Sequence, residues 1–163
     1  MEEKIVYRPI GLIRTPFKEP KGTPIQPRAG IGVEGYVEVF PEYAEGLKDL
    51  EGFSHIILLY HFHLSKGYSL LVTPYMDSEK RGVFATRAPK RPNPIGLSVV
   101  RLLSVHKNII RIRDVDIVDK TPLLDIKPYV PDFDFRRVER IGWLENRVQN
   151  LAKHRDDGRF IKD

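Results

Sequence analysis

Two stretches of this sequence gather side chains able to hold a charged ligand. The first runs Gly82-Val83-Phe84-Ala85-Thr86-Arg87-Ala88-Pro89-Lys90-Arg91-Pro92-Asn93-Pro94-Ile95-Gly96-Leu97-Ser98. Its three prolines and two glycines present Arg87, Arg91 and Asn93 at restricted angles. Proline on both sides of Asn93 narrows the backbone and lowers the entropy lost on binding. The second stretch, Asp116-Ile117-Val118-Asp119-Lys120-Thr121-Pro122-Leu123-Leu124-Asp125-Ile126-Lys127-Pro128-Tyr129, puts carboxylates and a hydroxyl around a turn. An amine or a ribose can be held by that set, although Asp and Thr also build plain turns through side chain–backbone bonds.

Charge surrounds the first stretch unevenly. Between Lys80 and Arg113 stand nine basic residues (Lys80, Arg81, Arg87, Lys90, Arg91, Arg101, Lys107, Arg111, Arg113) and no acidic one. The whole chain carries a net charge of only +5. Such a window is either a solvated surface offset by acids elsewhere or a footprint for phosphates.

Other matches fail on context. Gly30-Ile31-Gly32-Val33-Glu34-Gly35 fits the dinucleotide fingerprint, but a proline-rich loop precedes it and an alternating strand follows. The fingerprint works only where a strand leads into a helix N-terminus that meets the pyrophosphate. Asp114-Val115-Asp116 after an apolar strand resembles the aspartyl nucleophile of phosphatases, yet fewer than 50 residues remain for the α/β body they need. His61 and His63 share a strand face and are a possible metal pair; no further ligand stands at a convincing spacing, so no metal is expected. No GxSxG elbow supports a serine nucleophile.

The elements that must position these groups are mostly strands. With 163 residues the chain makes one domain of ordinary size. Its 13 prolines and 12 glycines argue against a helical bundle. Absence of cysteine excludes disulfides, thiolate metal sites and thiol nucleophiles. Strands are expected over Val6–Ile13, Val33–Val39, Phe53–Phe62, Leu97–Val105 and Ile109–Val115, the last two joined as a hairpin across His106-Lys107-Asn108. Thr15 to Gly32 is a long loop, of the kind that is usually functional. A short helix is expected from Pro41 to Leu50. Val138, Ile141, Leu144, Val148 and Leu151 recur at three and four, which predicts a C-terminal amphipathic helix over 136–153. The pattern is mainly β, a small barrel or sandwich. Met1-Glu2-Glu3-Lys4 lacks a secretory pattern and Ile56–Tyr60 is too short to span a bilayer, so a cytoplasmic protein with no membrane association is expected.

The two stretches, together with Ile10-Gly11-Leu12-Ile13-Arg14-Thr15-Pro16-Phe17-Lys18 and Leu50-Glu51-Gly52-Phe53-Ser54-His55, resemble the TsaA/TrmO-like family from about residue 7 to residue 131. The resemblance implies a small β-barrel domain over 1–135, with 136–163 as a helical appendage. It also implies a homodimer that binds S-adenosyl-L-methionine and methylates the N6 nitrogen of threonylcarbamoyladenosine beside the tRNA anticodon. The family's cofactor contacts fall on Pro24, Ile25, Gln26, His63, Leu64, Arg87, Leu97, Asp119, Lys120, Thr121 and Pro122. Ile25 and Leu64 are apolar where bacterial members carry Arg and Gln.

Methyl transfer to nitrogen releases a proton, for which Asn93, Asp119 and Asp125 are the candidate catalytic groups. Lys90, Arg91 and Arg101 are expected to meet tRNA phosphates, and Tyr129 or Phe84 to stack on a base. Two rival readings are a non-catalytic RNA-binding barrel and a metal-assisted phosphohydrolase using His61, His63 and Asp116.

Overall fold

The computed structural model describes residues 3–147 and 155–160. Among the described residues there are eight strands: β1 (Gly11–Arg14), β2 (Glu34–Val39), β3 (His55–His61), β4 (Leu71–Val72), β5 (Arg81–Gly82), β6 (Ile95–His106), β7 (Ile109–Arg113) and β8 (Thr121–Pro128). Six of them close into an antiparallel barrel in the order β1-β2-β7-β6-β3-β8, while β4 and β5 form a separate two-stranded sheet. Closure falls between the first and last barrel strands, Gly11 opposite Leu123 and Ile13 opposite Thr121.

Period-two patterning decides which side chains enter the barrel. Val37 and Val39 of β2, Ile56, Leu58 and Tyr60 of β3, Val100 and Leu102 of β6, and Ile110 and Ile112 of β7 point inward and are buried. Ile13, Val115, Ile117 and Leu123 complete that core. Burying each aliphatic side chain stabilises the fold by about 1.5–3 kcal/mol. On β6, Gly96 and Ser98 continue the inward series while Ile95, Leu97 and Arg101 face outward and are exposed. Two register shifts interrupt the barrel, between Leu59 and Tyr60 against β8 and between Leu102 and Ser104 against β7. Bulges of this kind re-aim side chains at barrel rims.

The expected strands over Val33–Val39, Phe53–Phe62, Leu97–Val105 and Ile109–Val115 are found close to their predicted bounds, and β6 turns into β7 at Lys107 (φ 53°) and Asn108. Three expectations need correction. The first strand is Gly11–Arg14 rather than Val6–Ile13, and Val6 and Tyr7 are exposed. Pro41–Leu50 is not an α-helix but a 3-10 turn over Pro41–Leu47, and a second 3-10 turn begins at Leu50 after Asp49 enters the left-handed region. The helix expected over 136–153 is absent from 136–147, where the only regular piece is a 3-10 turn at Gly142–Leu144. Gly142 (φ 60°) and Asn146 (φ 65°) are left-handed, and a single such residue stops an α-helix. Trp143 is drawn instead to the body, its indole Nε1 donating to the Ala85 carbonyl at 2.8 Å. Residues 148–153 of the expected helix lie outside the described residues.

One barrel strand was hidden in the sequence. Thr121–Pro128, expected as a turn, is β8, with Pro122 opposite Leu12 and Pro128 opposite Ile56.

Candidate functional site

A cleft of about 290 Å³ opens at the rim of the barrel where five connections meet. The proline loop supplies Pro24, Ile25 and Gln26; the exit of β3 supplies His63 and Leu64; the 86–91 loop supplies Arg87 and Arg91. Leu97 at the start of β6 and Thr121 at the start of β8 complete the expected residues found on its wall. The C-terminal residues Asp156 and Phe160 close another side.

Local hydrogen bonds fix these loops. Arg91 Nη1 donates to the carbonyls of Thr86 (2.9 Å) and Ala88 (3.1 Å), curling the loop so that Arg87 stands at its outer edge. Arg87 Nη1 then donates to Gln26 Oε1 at 2.9 Å, across the cleft mouth. The Phe62 amide donates to the Pro94 carbonyl (2.8 Å) and Ser65 Oγ to the Pro89 carbonyl (3.1 Å), tying the exit of β3 to the same loop. On the far side, Gly22 N donates to the Asp156 carbonyl (2.6 Å) and Asp156 N returns a bond to Thr23 (2.7 Å). Phe160 is buried with Val72, Val83 and Ala88, and its ring meets Tyr75 edge-on at 5.1 Å.

A polar chain lies on the floor. Ser98 Oγ donates to Asp116 Oδ1 at 2.6 Å, and Tyr60 Oη lies 2.8 Å from the same Ser98 oxygen. A serine hydroxyl has one proton, so with Ser98 donating to Asp116 the Tyr60 hydroxyl donates to Ser98. Burial pushes the Asp116 carboxyl up to about 7, against the Ser98 bond and the charge of Arg87, which favour ionisation. Burial likewise pushes the Tyr60 phenol well above its ordinary value, and the Asp116 charge adds to that. His63 is shifted down by partial burial and by its neighbour His61.

Asp119 plays a different part from the contact expected of it. Its carboxylate is buried and off the cleft wall, accepting from Arg14 Nε, the Thr15 amide and Lys18 Nζ, each at 3.0 Å. Burial would raise its proton affinity, but those bonds outweigh burial and hold it at about 2. Lys120 is exposed with φ 65° and Pro122 lies in the β8–β1 ladder, so the Asp119–Pro122 run shapes the site from behind and contributes only Thr121 to the cleft wall.

The remaining candidates sit apart from the cleft. Asp125 pairs with Lys127 at 2.8 Å and borders a separate depression with Tyr43 and Leu50. Asn93 is exposed beside the cleft loop without lining the cleft, and Lys90 likewise stays off its wall. Arg101 lies on the outer face of β6 opposite His55. Tyr129 follows β8, its amide bonded to the His55 carbonyl at 3.1 Å. Of the proposed metal set, His63 and Asp116 line the cleft and His61 does not. Among the described residues, no group of three or more His, Cys, Asp or Glu side chains gathers as a metal site.

The floor residues Tyr60 and Ser98 were missed as site residues, and Asp116 stood in the second ligand-holding stretch and in the metal reading but not among the residues expected to bind the cofactor or take the proton. A polar residue at an inward position was the available signal: Ser98 shares its parity with Val100 and Leu102.

The barrel and its rim cleft define a small antiparallel β-barrel domain with a concave cleft of the kind that takes small ligands. The chain belongs to the family of the tRNA-methyltransferase O N-terminal domain, whose model matches residues 12–135. It is 69% identical over 157 residues to a probable S-adenosyl-L-methionine-binding protein of Pyrococcus abyssi, covering 96% of this chain and 85% of that one. It is 40% identical over 135 residues to the tRNA (adenine(37)-N6)-methyltransferase of Escherichia coli, covering 77% of this chain and 57% of the relative. The crystal structure of TrmO from Pseudomonas aeruginosa superposes with a TM-score of 0.73 at 38% identity, over 86% of this chain and 63% of that one. The chain therefore spans less than two thirds of the length of these last two relatives.

Proposed function

We propose that this protein is an S-adenosyl-L-methionine-dependent methyltransferase acting on the adenine N6 nitrogen next to the tRNA anticodon, with threonylcarbamoyladenosine as the substrate nucleoside. One observation carries the reading: residues dispersed from Pro24 to Thr121 in sequence converge on a single cleft.

The donor set fits the cofactor. Pro24, Ile25, Leu64 and Leu97 offer apolar surface for a purine and a thioether chain, and Arg87 offers a guanidinium for a carboxylate. The Asp156 carboxylate on the wall favours a sulfonium cation. Bound there, the cofactor supplies an activated methyl group. The chain's own residues supply position and exclusion of water. Holding two reactants in line is worth up to about 7–11 kcal/mol of barrier. A base in an anticodon loop is already unstacked, which suits recognition by a cleft. Outside the cleft, Arg101, Lys90 and the exposed Phe84 are the groups we assign to the RNA. A homodimer in the cytoplasm is the form we propose, and the exposed Ile5, Val6, Tyr7, Phe133 and Phe135 offer apolar surface for the second subunit.

Titration calorimetry with S-adenosyl-L-methionine, followed by mass spectrometry of tRNA digested after incubation, tests the reading. Binding and a methylated adenosine 3′ of the anticodon are expected, and Arg87→Ala weakens cofactor binding by about 10-fold or more through loss of a charge-assisted contact. Binding of RNA with no methyl formed would favour the non-catalytic barrel. No heat or stabilisation at millimolar cofactor would overturn the proposal.

A further inference from the structure

We propose that Asp116 is the proton acceptor of the transfer, taking the proton from the adenine nitrogen as that nitrogen takes the methyl group. This inference rests on the methyltransferase reading above. The nitrogen–methyl bond forms as the sulfur–methyl bond breaks, and that bonding pair stays on sulfur, which leaves as a neutral thioether. The nitrogen–hydrogen pair returns to nitrogen, and the proton passes to a carboxylate oxygen of Asp116 and then to solvent through the cleft mouth.

Elimination among the carboxylates leads to this residue. Asp119 holds its charge in bonds to Arg14, Lys18 and Thr15 and is turned away from the cleft. Asp125 is paired with Lys127 at a different depression, and Asp114 accepts from the Gly32 amide at 2.7 Å. Asp156 lies on the wall with one oxygen accepting from the Gly158 amide at 2.6 Å. Asp116 lies on the cleft floor, and among the described residues the one side-chain bond to its carboxylate comes from Ser98, on one oxygen.

The surroundings suit a carboxylate that must take and release a proton. Tyr60 from β3 and Ser98 from β6 orient it through their hydrogen-bonded chain. Arg87 from the facing loop is the cation that acts on it, while His63, Arg91, Tyr75 and Asp156 are the other titratable groups on the cleft wall. Burial raises its proton affinity to about 7, which places its two forms in balance near neutrality. A base is most effective when its pKa lies near the working pH.

Single-turnover methyl transfer, with cofactor and tRNA both saturating, reads the step directly. Asp116→Asn is expected to slow it at least 100-fold while the calorimetric affinity for S-adenosyl-L-methionine changes less than threefold. The wild-type rate should rise with pH through an inflection near 7 and then level. A second readout needs no turnover: carboxyl carbon NMR should show a titration in the same range that Asp116→Asn removes. Ser98→Ala withdraws the bond that favours the ionised form, so its inflection moves to higher pH. That variant decides the matter if Asp116→Asn does not fold. An Asp116→Asn enzyme with the wild-type rate and inflection would overturn the inference, as would a loss confined to cofactor affinity or an unmoved inflection in Ser98→Ala. Absence of any methyl from the wild type would instead overturn the proposed function itself.

Discussion

Asp119 accepts a hydrogen bond from the backbone amide of Thr15 at 3.0 Å, joining positions 104 residues apart in the chain. Thr15 Oγ1 in turn donates to the Ile117 carbonyl at 2.6 Å. This exchange seats the start of the proline loop against the segment that carries Asp116, so one buried carboxylate sets the spacing of two walls.

Replacing Asp119 by Asn should therefore lower stability by about 2–3 kcal/mol. That is below the usual loss for a fully buried pair, because Lys18 is largely solvated and Arg14 partly so. The pH effect has a definite sign. A carboxyl held at about 2 in the fold and near 4 when unfolded adds stability above about pH 4, lost as pH falls toward 2. Urea denaturation from pH 6 to pH 2 should show that loss in the wild type and a shallower one in Asp119→Asn.

A methyl group added at Gly96 in β6 would enter the Tyr60 ring. Gly96→Ala must displace that ring and with it the bond from Tyr60 to Ser98. A loss of about 1–3 kcal/mol is expected from overpacking, together with weaker cofactor binding. Thermal unfolding with and without S-adenosyl-L-methionine measures both.

Arg101 shares the outward face of β6 with Ile95 and Leu97, about 13 Å along the strand from Leu97. An RNA seated over the cleft reaches it. Arg101→Ala should reduce the slope of log affinity against log salt by about 1 and weaken binding of tRNAs evenly, with cofactor affinity unchanged. Fluorescence anisotropy at several salt concentrations checks this.

Sequence patterning made much of the barrel readable because β2, β3, β6 and β7 alternate or run apolar between turn residues. Strand β8 was concealed by Pro122, Asp125, Lys127 and Pro128, residues that strand patterning disfavours; its pairing with β1 and β3 supplies what local preference withholds. The three-and-four recurrence after Pro131 misled for the opposite reason. Contacts of Trp143 with Ala85 and of Arg147 with Asp77 override it, around left-handed Gly142 and Asn146. Within the site, Arg87 stood out in the proline-bracketed stretch and His63 beside His61, whereas Gln26 came through motif resemblance alone. Tyr60 and Ser98 occupy inward positions of the barrel, where spacing alone reads as core, and Asp116 reaches them from the connection between β7 and β8.

The pairing of β1 with β8, and of Pro24 with Arg155 beyond it, bears on how the molecule is made. On a ribosome, Gly11–Arg14 emerges early and cannot complete its barrel partners until Thr121–Pro128 has followed. The cleft waits longer still, because Asp156 and Phe160 come last of its walls. A nascent chain halted before Thr121–Pro128 presents β1 and β3 with open edges, the state in which strands pair with the wrong neighbour. The barrel and its cleft are thus both completed only once the final third of the chain has been made.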